Sequence, residues 1–383
     1  MERLNSKSNK GMSMAKEVDL RELKEIVQSS TINFLIGAGV SNPYIPALGN
    51  IEKDIEAAKG DDKKILEQLK KYFEGVMLPS TAVLNNGADL STVRPKKDTL
   101  SDKEKFDKTY NGYKGFFETI NEVLLHRKSS LLNKQVNIFT TNIDAFFEKT
   151  AEDLSIEYND GFSGSLSPQF QTSNFRKSIY KTSAHFSNTA EIPTFNIIKL
   201  HGSLTWKLNG AADGFEYSRL EAVNSLEQVL DNDKKFQDSY TSELQIINPT
   251  KNKFEETVMG VVHYELLRMY SDELEKENAV LFVIGFSMAD EHIREITKRA
   301  ANSNPTLKIY IFCYSDGETK DNLELWFKDM KYQNVEIVVP EDDKRYDIET
   351  IKDDFLKTLL RGVPKENLED TEELTDEKQN KTN

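Results

Sequence analysis

Cysteine is almost missing from this chain: Cys313 is the only one among 383 residues. An internal disulfide and a four-cysteine zinc site are therefore excluded, and the sequence fits a fold held by packing in a reducing cytosol. Long apolar runs are missing too. The longest, residues 279–286 (AVLFVIGF), is far too short to span a bilayer, and residues 1–17 lack the apolar core of a signal peptide. A soluble, cytoplasmic protein without a membrane partner is expected. Positive charge is in deficit, 50 Lys and Arg against 64 Asp and Glu for a net −14. That balance works against direct nucleic-acid binding by the isolated chain, because such binding rests on neutralising phosphates. No group of carboxylates and histidines stands out as a metal site, so no metal is expected. There is no internal repeat. Residues 365–383 carry little to bury and read as a disordered acidic tail.

What is present is enough to fill a core: 38% of the residues are hydrophobic. Short β-branched and apolar runs recur at 31–37, 136–141, 195–200, 244–247, 279–285, 307–313 and 335–339. Runs this apolar suit strands buried on both faces, and the intervals leave room for crossover helices. The expected fold class is α/β, a doubly wound, parallel, Rossmann-like sheet. Residues 1–30 form an N-terminal extension with a helix, 31–315 the main domain, and 316–364 its C-terminal α/β end. Helical insertions at about 50–132 carry apolar positions three to four apart, such as Ile65, Leu69 and Phe73 or Phe116, Ile120 and Leu124. They are expected to form an inserted helical lobe, either a solvated pair of helices or an assembly surface. Residues 160–190, rich in Ser, Gly, Asn and Thr, read as a long loop or lid, and 209–241 as surface helix.

Four strand ends carry chemistry. The first runs into Gly37-Ala38-Gly39-Val40-Ser41, either a tight turn or a loop whose amides meet a pyrophosphate. A second ends in Thr140-Thr141-Asn142-Ile143-Asp144, where the amide and carboxylate either cap the following helix or face a ligand. A third ends in Leu200-His201-Gly202-Ser203, and histidine is the side chain best suited to proton transfer near neutral pH. A fourth delivers Gly285-Phe286-Ser287-Met288-Ala289-Asp290, in which Ser287 or Asp290 either caps a helix or holds a ribose or phosphate.

In order and local context, GAGVS, TTNID, LHGS and VIGFSMAD resemble the motifs of sirtuins and their bacterial sirtuin-like relatives, over about residues 30–315. The resemblance implies an NAD-binding catalytic domain. It places Gly37, Ala38, Gly39 and Ser41 at the NAD phosphates and riboses, Ile45 and Pro46 in the loop that closes over nicotinamide, and Thr141, Asn142 and Asp144 beside the nicotinamide ribose and carboxamide. Gly285, Ser287 and Asp290 would hold the second ribose or a phosphate, with Asn142 and His201 catalytic. Departures matter as well. The zinc lobe of protein deacetylases has no cysteines here, their Gln before the Asn-Ile-Asp triad is Thr141, and their Asp-Phe-Arg after the proline is Ala47-Leu48-Gly49. These changes resemble the group that hydrolyses NAD+ outright in bacterial antiphage defence. That resemblance implies NAD+ as substrate, NAD depletion by abortive infection, a homo-oligomer and a HerA-type ATPase subunit as partner. A lysine deacylase and a non-enzymatic NAD or ADP-ribose sensor are the alternatives.

Overall fold

A computed structural model describes residues 18–46, 51–84, 101–127, 132–185, 187–208, 215–218, 220–247, 260–341 and 344–360. The Ala47-Leu48-Gly49 departure and the expected tail at 365–383 lie outside these residues. The strands are β1 (Thr31–Ile36), β2 (Gln135–Thr140), β3 (Tyr158–Asn159), β4 (Phe162–Ser163), β5 (Gln169–Phe170), β6 (Tyr180–Thr182), β7 (Thr189–Glu191), β8 (Thr194–Lys199), β9 (Trp206–Leu208), β10 (Phe215–Tyr217), β11 (Ala279–Ile284), β12 (Lys308–Phe312) and β13 (Val335–Val338). Seven of them form one sheet in the order β13-β12-β11-β1-β2-β8-β3. Every pairing in it is parallel. β1 lies at the centre, and the chain winds outward from it in both directions. The crevice beside β1 is thus the topological switch point, the place where doubly wound sheets bind ligands.

Six of the seven apolar runs are these strands, shifted by a residue or so at their ends. The seventh, at 244–247, is not: Ile246 makes only an isolated antiparallel bridge to Gly202. Leu244, Ile246 and Ile247 are buried without joining the sheet, which periodicity over so short a run cannot distinguish from a strand.

The sheet divides the core in two. Phe34, Ile138, Phe195 and Phe282 face one cluster, shared with Phe116, Phe117 and Ile120 of the helix Asp102–Leu125. Leu35, Phe139, Leu281 and Val283 face the other, shared with Leu266 and Tyr270 of the helix Val261–Glu275 and Ile293 of the helix Glu291–Ser303. The helix Asp102–Leu125 starts at a capping box in which Ser101 and Glu104 satisfy each other's amides. Its expected apolar positions are buried, so one face of this insertion belongs to the core and only the other is available as a surface. Likewise the helices Glu221–Gln228 and Asp233–Glu243 bury Val223, Leu226 and Phe236. The expected lid, 160–190, contains the short strands β4 to β7.

Polar residues run through the middle of the sheet. Asn137 Nδ2 donates to Asn33 Oδ1 at 2.9 Å, and Asn196 Nδ2 to Asn137 Oδ1 at 2.9 Å. The three asparagines are in register on β1, β2 and β8. Buried amides need such partners, since each unpaired group costs about 1–3 kcal/mol.

Candidate active site

The four motifs meet at the carboxyl ends of four adjacent strands, β11, β1, β2 and β8. Ser41 follows β1, Asn142 and Asp144 follow β2, His201 follows β8, and Ser287 and Asp290 follow β11.

The glycine loops after β1 and β11 lock onto each other. Gly37 N–H donates to Ile284 O at 3.1 Å and Gly39 N–H to Gly285 O at 2.9 Å. A Cβ on Gly37 would lie 2.7 Å from Gly285 O, and one on Gly39 would lie 2.9 Å from Gly285 Cα. Gly285 itself has φ +61°, a left-handed conformation natural to glycine. The need for glycine here is thus met by the neighbouring loop. Two amides that the sequence assigned to a pyrophosphate already have backbone partners.

Beside this interlock lies a buried polar knot. Ser41 Oγ is 2.8 Å from Tyr113 Oη and donates to Asp144 Oδ2 at 2.9 Å. Asn142 Nδ2 reaches Gly37 O and Ser41 Oγ, each at 3.2 Å, and Tyr113 Oη at 3.3 Å. Asn142 Oδ1 is buried without a partner. Asp144 Oδ1 accepts from Phe146 N at 3.0 Å, so this carboxylate binds the first amide of the helix Phe146–Asp153 and orients Ser41. Beneath it, Lys199 Nζ donates to the Asp144 carbonyl and pairs with Glu148 at 3.1 Å. Burial pushes the Glu148 carboxyl above its ordinary value, against the pull of Lys199. Tyr113 was missed by sequence reasoning, being one of several buried aromatics on a long helix. Burial, then the charge of Asp144, raises its phenol well above the usual range, so it remains a hydroxyl.

His201 stands apart from the knot. No hydrogen bond joins it to Asn142 among the described residues; its Nε2 instead lies 3.2 Å from Asp290 Oδ2. Asp290 also caps the helix Glu291–Ser303, so the capping reading holds and the same side chain meets His201. The buried His263 was also missed. Burial, then the charge of His201, lowers it to about 4, so it is neutral at pH 7. Its ring packs near Trp206 and Phe215, and its Nε2 has no partner.

Gly39, Gly285 and Ser287 line a cleft of about 150 Å³ with Tyr314, Thr319 and Asp347, which sequence motifs did not reveal. Ala38 and Thr141 are half-buried at the strand ends. Ile45 is buried in the core, its N–H donating to Ser41 O at 2.8 Å, and Pro46 is exposed. Among the described residues no group of three or more His, Cys, Asp or Glu side chains is gathered for a metal ion, and no helix is long and apolar enough to cross a membrane.

A family model described as SIR2-like domain matches residues 136–335, more than half of the chain. The match includes Asn142, His201 and Asp290. No curated protein matches the sequence. Solved structures with similarity include one on the structural basis of sirtuin substrate affinity, at 13% identity and TM-score 0.42, covering 89% of this chain and 98% of that one. Another is Sir2Tm bound to a propionylated peptide, at 14% identity and TM-score 0.39, covering 89% of this chain and 98% of that one. A third is a Sir2 variant with deacetylated p53 peptide and 3′-O-acetyl ADP ribose, at 12% identity and TM-score 0.38, covering 88% and 96%.

Proposed function

Because this chain belongs to the SIR2-like domain family, which fits NAD-dependent chemistry, we propose that it is an NAD+ glycohydrolase. Water adds to ribose C1′ while the bond from C1′ to the nicotinamide nitrogen breaks with its electron pair leaving on nicotinamide. The products are ADP-ribose, nicotinamide and a proton. The observation that carries this reading is Asn142: three contacts through Nδ2 fix its amide, and its buried Oδ1 is a spare acceptor. An amide so held can orient a ribose hydroxyl or the attacking water at no further ordering cost. His201, on the next strand, takes the proton. Ser41 and Asp144 position the nicotinamide ribose, and the cleft at Gly285 and Ser287 takes the other half of the dinucleotide.

Hydrolysis is favoured over lysine deacylation by Thr141 in place of glutamine and by the lack of cysteines for a zinc lobe. An unrestrained NAD hydrolase would kill its host, so we infer that activity is held back until infection, in a homo-oligomer acting with a HerA-type ATPase, and that NAD depletion serves antiphage defence. The test is incubation of the purified protein with NAD+ alone, with the ATPase, and with an acylated peptide. Nicotinamide release without peptide, alone or with the ATPase, supports hydrolysis. Strict dependence on peptide marks a deacylase, and binding without turnover in every mixture marks a sensor.

A further inference from the structure

Asp290 uses its two carboxylate oxygens on two different neighbours. Oδ1 accepts the amides of His292 at 3.1 Å and Ile293 at 3.3 Å. Oδ2 lies 3.2 Å from His201 Nε2, with side chains only 15% and 9% exposed for His201 and Asp290. Capping alone does not require this arrangement: a serine accepts the same amides with one short hydroxyl. The turn that delivers Asp290 is built with strain. Met288, fully buried, takes φ +57° after Gly285 at +61°, and a side-chain-bearing residue there costs of order 1–3 kcal/mol. Arg294 holds the turn from outside, donating to Met288 O at 2.8 Å and Ala289 O at 3.3 Å. Such strain persists where surrounding structure determines it.

We propose that Asp290 is the positioning residue of His201: Oδ2 accepts Nε2–H and so fixes that tautomer, leaving Nδ1 as the nitrogen that takes the proton. The pairing stands on geometry alone, whereas the identity of the proton donor rests on the hydrolase reading. When water attacks, its O–H proton moves to the Nδ1 lone pair and the resulting imidazolium is balanced by the Asp290 carboxylate; solvent later removes the proton. Asp290 and His263 are titratable groups that face His201 among the described residues. His263 stays neutral, so the compensating charge comes from Asp290.

Two substitutions separate this role from capping. Asp290→Asn keeps a capping oxygen but offers His201 an N–H, which requires Nε2 to accept and Nδ1 to carry the proton. Asp290→Ser keeps a cap and cannot reach the ring. Nitrogen-15 spectra of histidine-labelled protein, with His201 assigned by His201→Gln, should show Nε2–H in the wild type and Nδ1–H in Asp290→Asn. In NAD+ hydrolysis, the Asn variant should lose roughly 10²–10⁴-fold in kcat, the range of general acid–base assistance, with about 10⁴-fold the loss when a triad histidine is held in the wrong tautomer. The Ser variant should lose kcat while its thermal midpoint is kept. An Nδ1–H wild type, or full turnover by Asp290→Asn, would overturn the proposal. Should no variant, wild type included, hydrolyse NAD+, the spectra still decide the pairing, and only the hydrolase reading fails.

Discussion

Replacing His263 with phenylalanine should flatten the response of stability to acid. The imidazole is buried near the Trp206 and Phe215 rings, at 6.4 and 5.9 Å between centroids. Folding lowers it from 6.5 to about 4. Because the folded value is the lower one, the unfolded chain binds the proton more readily in between. The group's contribution is therefore complete above 6.5 and is lost as pH falls towards 4. Linkage over that interval gives a loss of about 2 kcal/mol between pH 7 and pH 5 from this side chain alone. A phenyl ring fills similar space, carries no proton and removes the unpartnered Nε2, so the variant should match or exceed the wild type at pH 7. Urea unfolding followed by tryptophan fluorescence at the two pH values gives the comparison, with the buried Trp206 as a probe. Equal acid sensitivity in both proteins would refute the reasoning.

At the site, His201→Ala and Asn142→Ala should each lower NAD+ hydrolysis by roughly 10²–10⁴-fold, measured as nicotinamide released, and Asn142→Ala should also lose about 1–3 kcal/mol of stability because its buried partners are left unpaired; wild-type turnover in either would remove that residue from the mechanism. Tyr113→Phe deletes the hydroxyl shared by Ser41 and Asn142, so stability should fall by about 1 kcal/mol and kcat should drop as Asn142 loosens. In Gly285→Ala the new Cβ would lie 2.7 Å from Val40 N at φ +61°, and thermal denaturation should report a loss of at least about 1–3 kcal/mol. Burial pushes the Cys313 thiol up to about 12, so iodoacetamide should label it only after unfolding.

The strands and the site residues were legible for different reasons. Runs such as Ala279–Ile284 announce themselves because a strand buried on both faces is apolar throughout. Ser41, Asn142 and His201 were visible because each lies within a few residues of the end of such a run, and the carboxyl ends of parallel strands converge. Tyr113 could not be found that way. It comes from a helix 72 residues beyond Ser41, and nothing local marks which aromatic on that helix turns its hydroxyl inward. His263 was invisible for a similar reason, since its place beside His201 depends on how one helix packs on the sheet. Asp290 was half legible: helix-capping rules locate Oδ1, but only the fold brings β8 close enough for Oδ2 to meet His201. The run at 244–247 shows the converse, apolar because it is buried, yet paired only through the bridge of Ile246 to Gly202.

The asparagines that cross the sheet act as a ruler. Parallel strands can slide by two residues without exchanging their faces, and runs as uniformly apolar as these would find new apolar neighbours after such a slide. The shift, about 6.6 Å, would carry a strand-end residue out of reach of any bond around 3 Å. Asn33, Asn137 and Asn196 resist it, because a slipped strand would set an amide against Leu, Phe or Ile. Each is three residues before the last residue of its strand, Ile36, Thr140 and Lys199, and those ends are level in the same register. The heights of Ser41, Asn142 and His201 above the sheet are thus calibrated from below, by amides buried within the sheet itself.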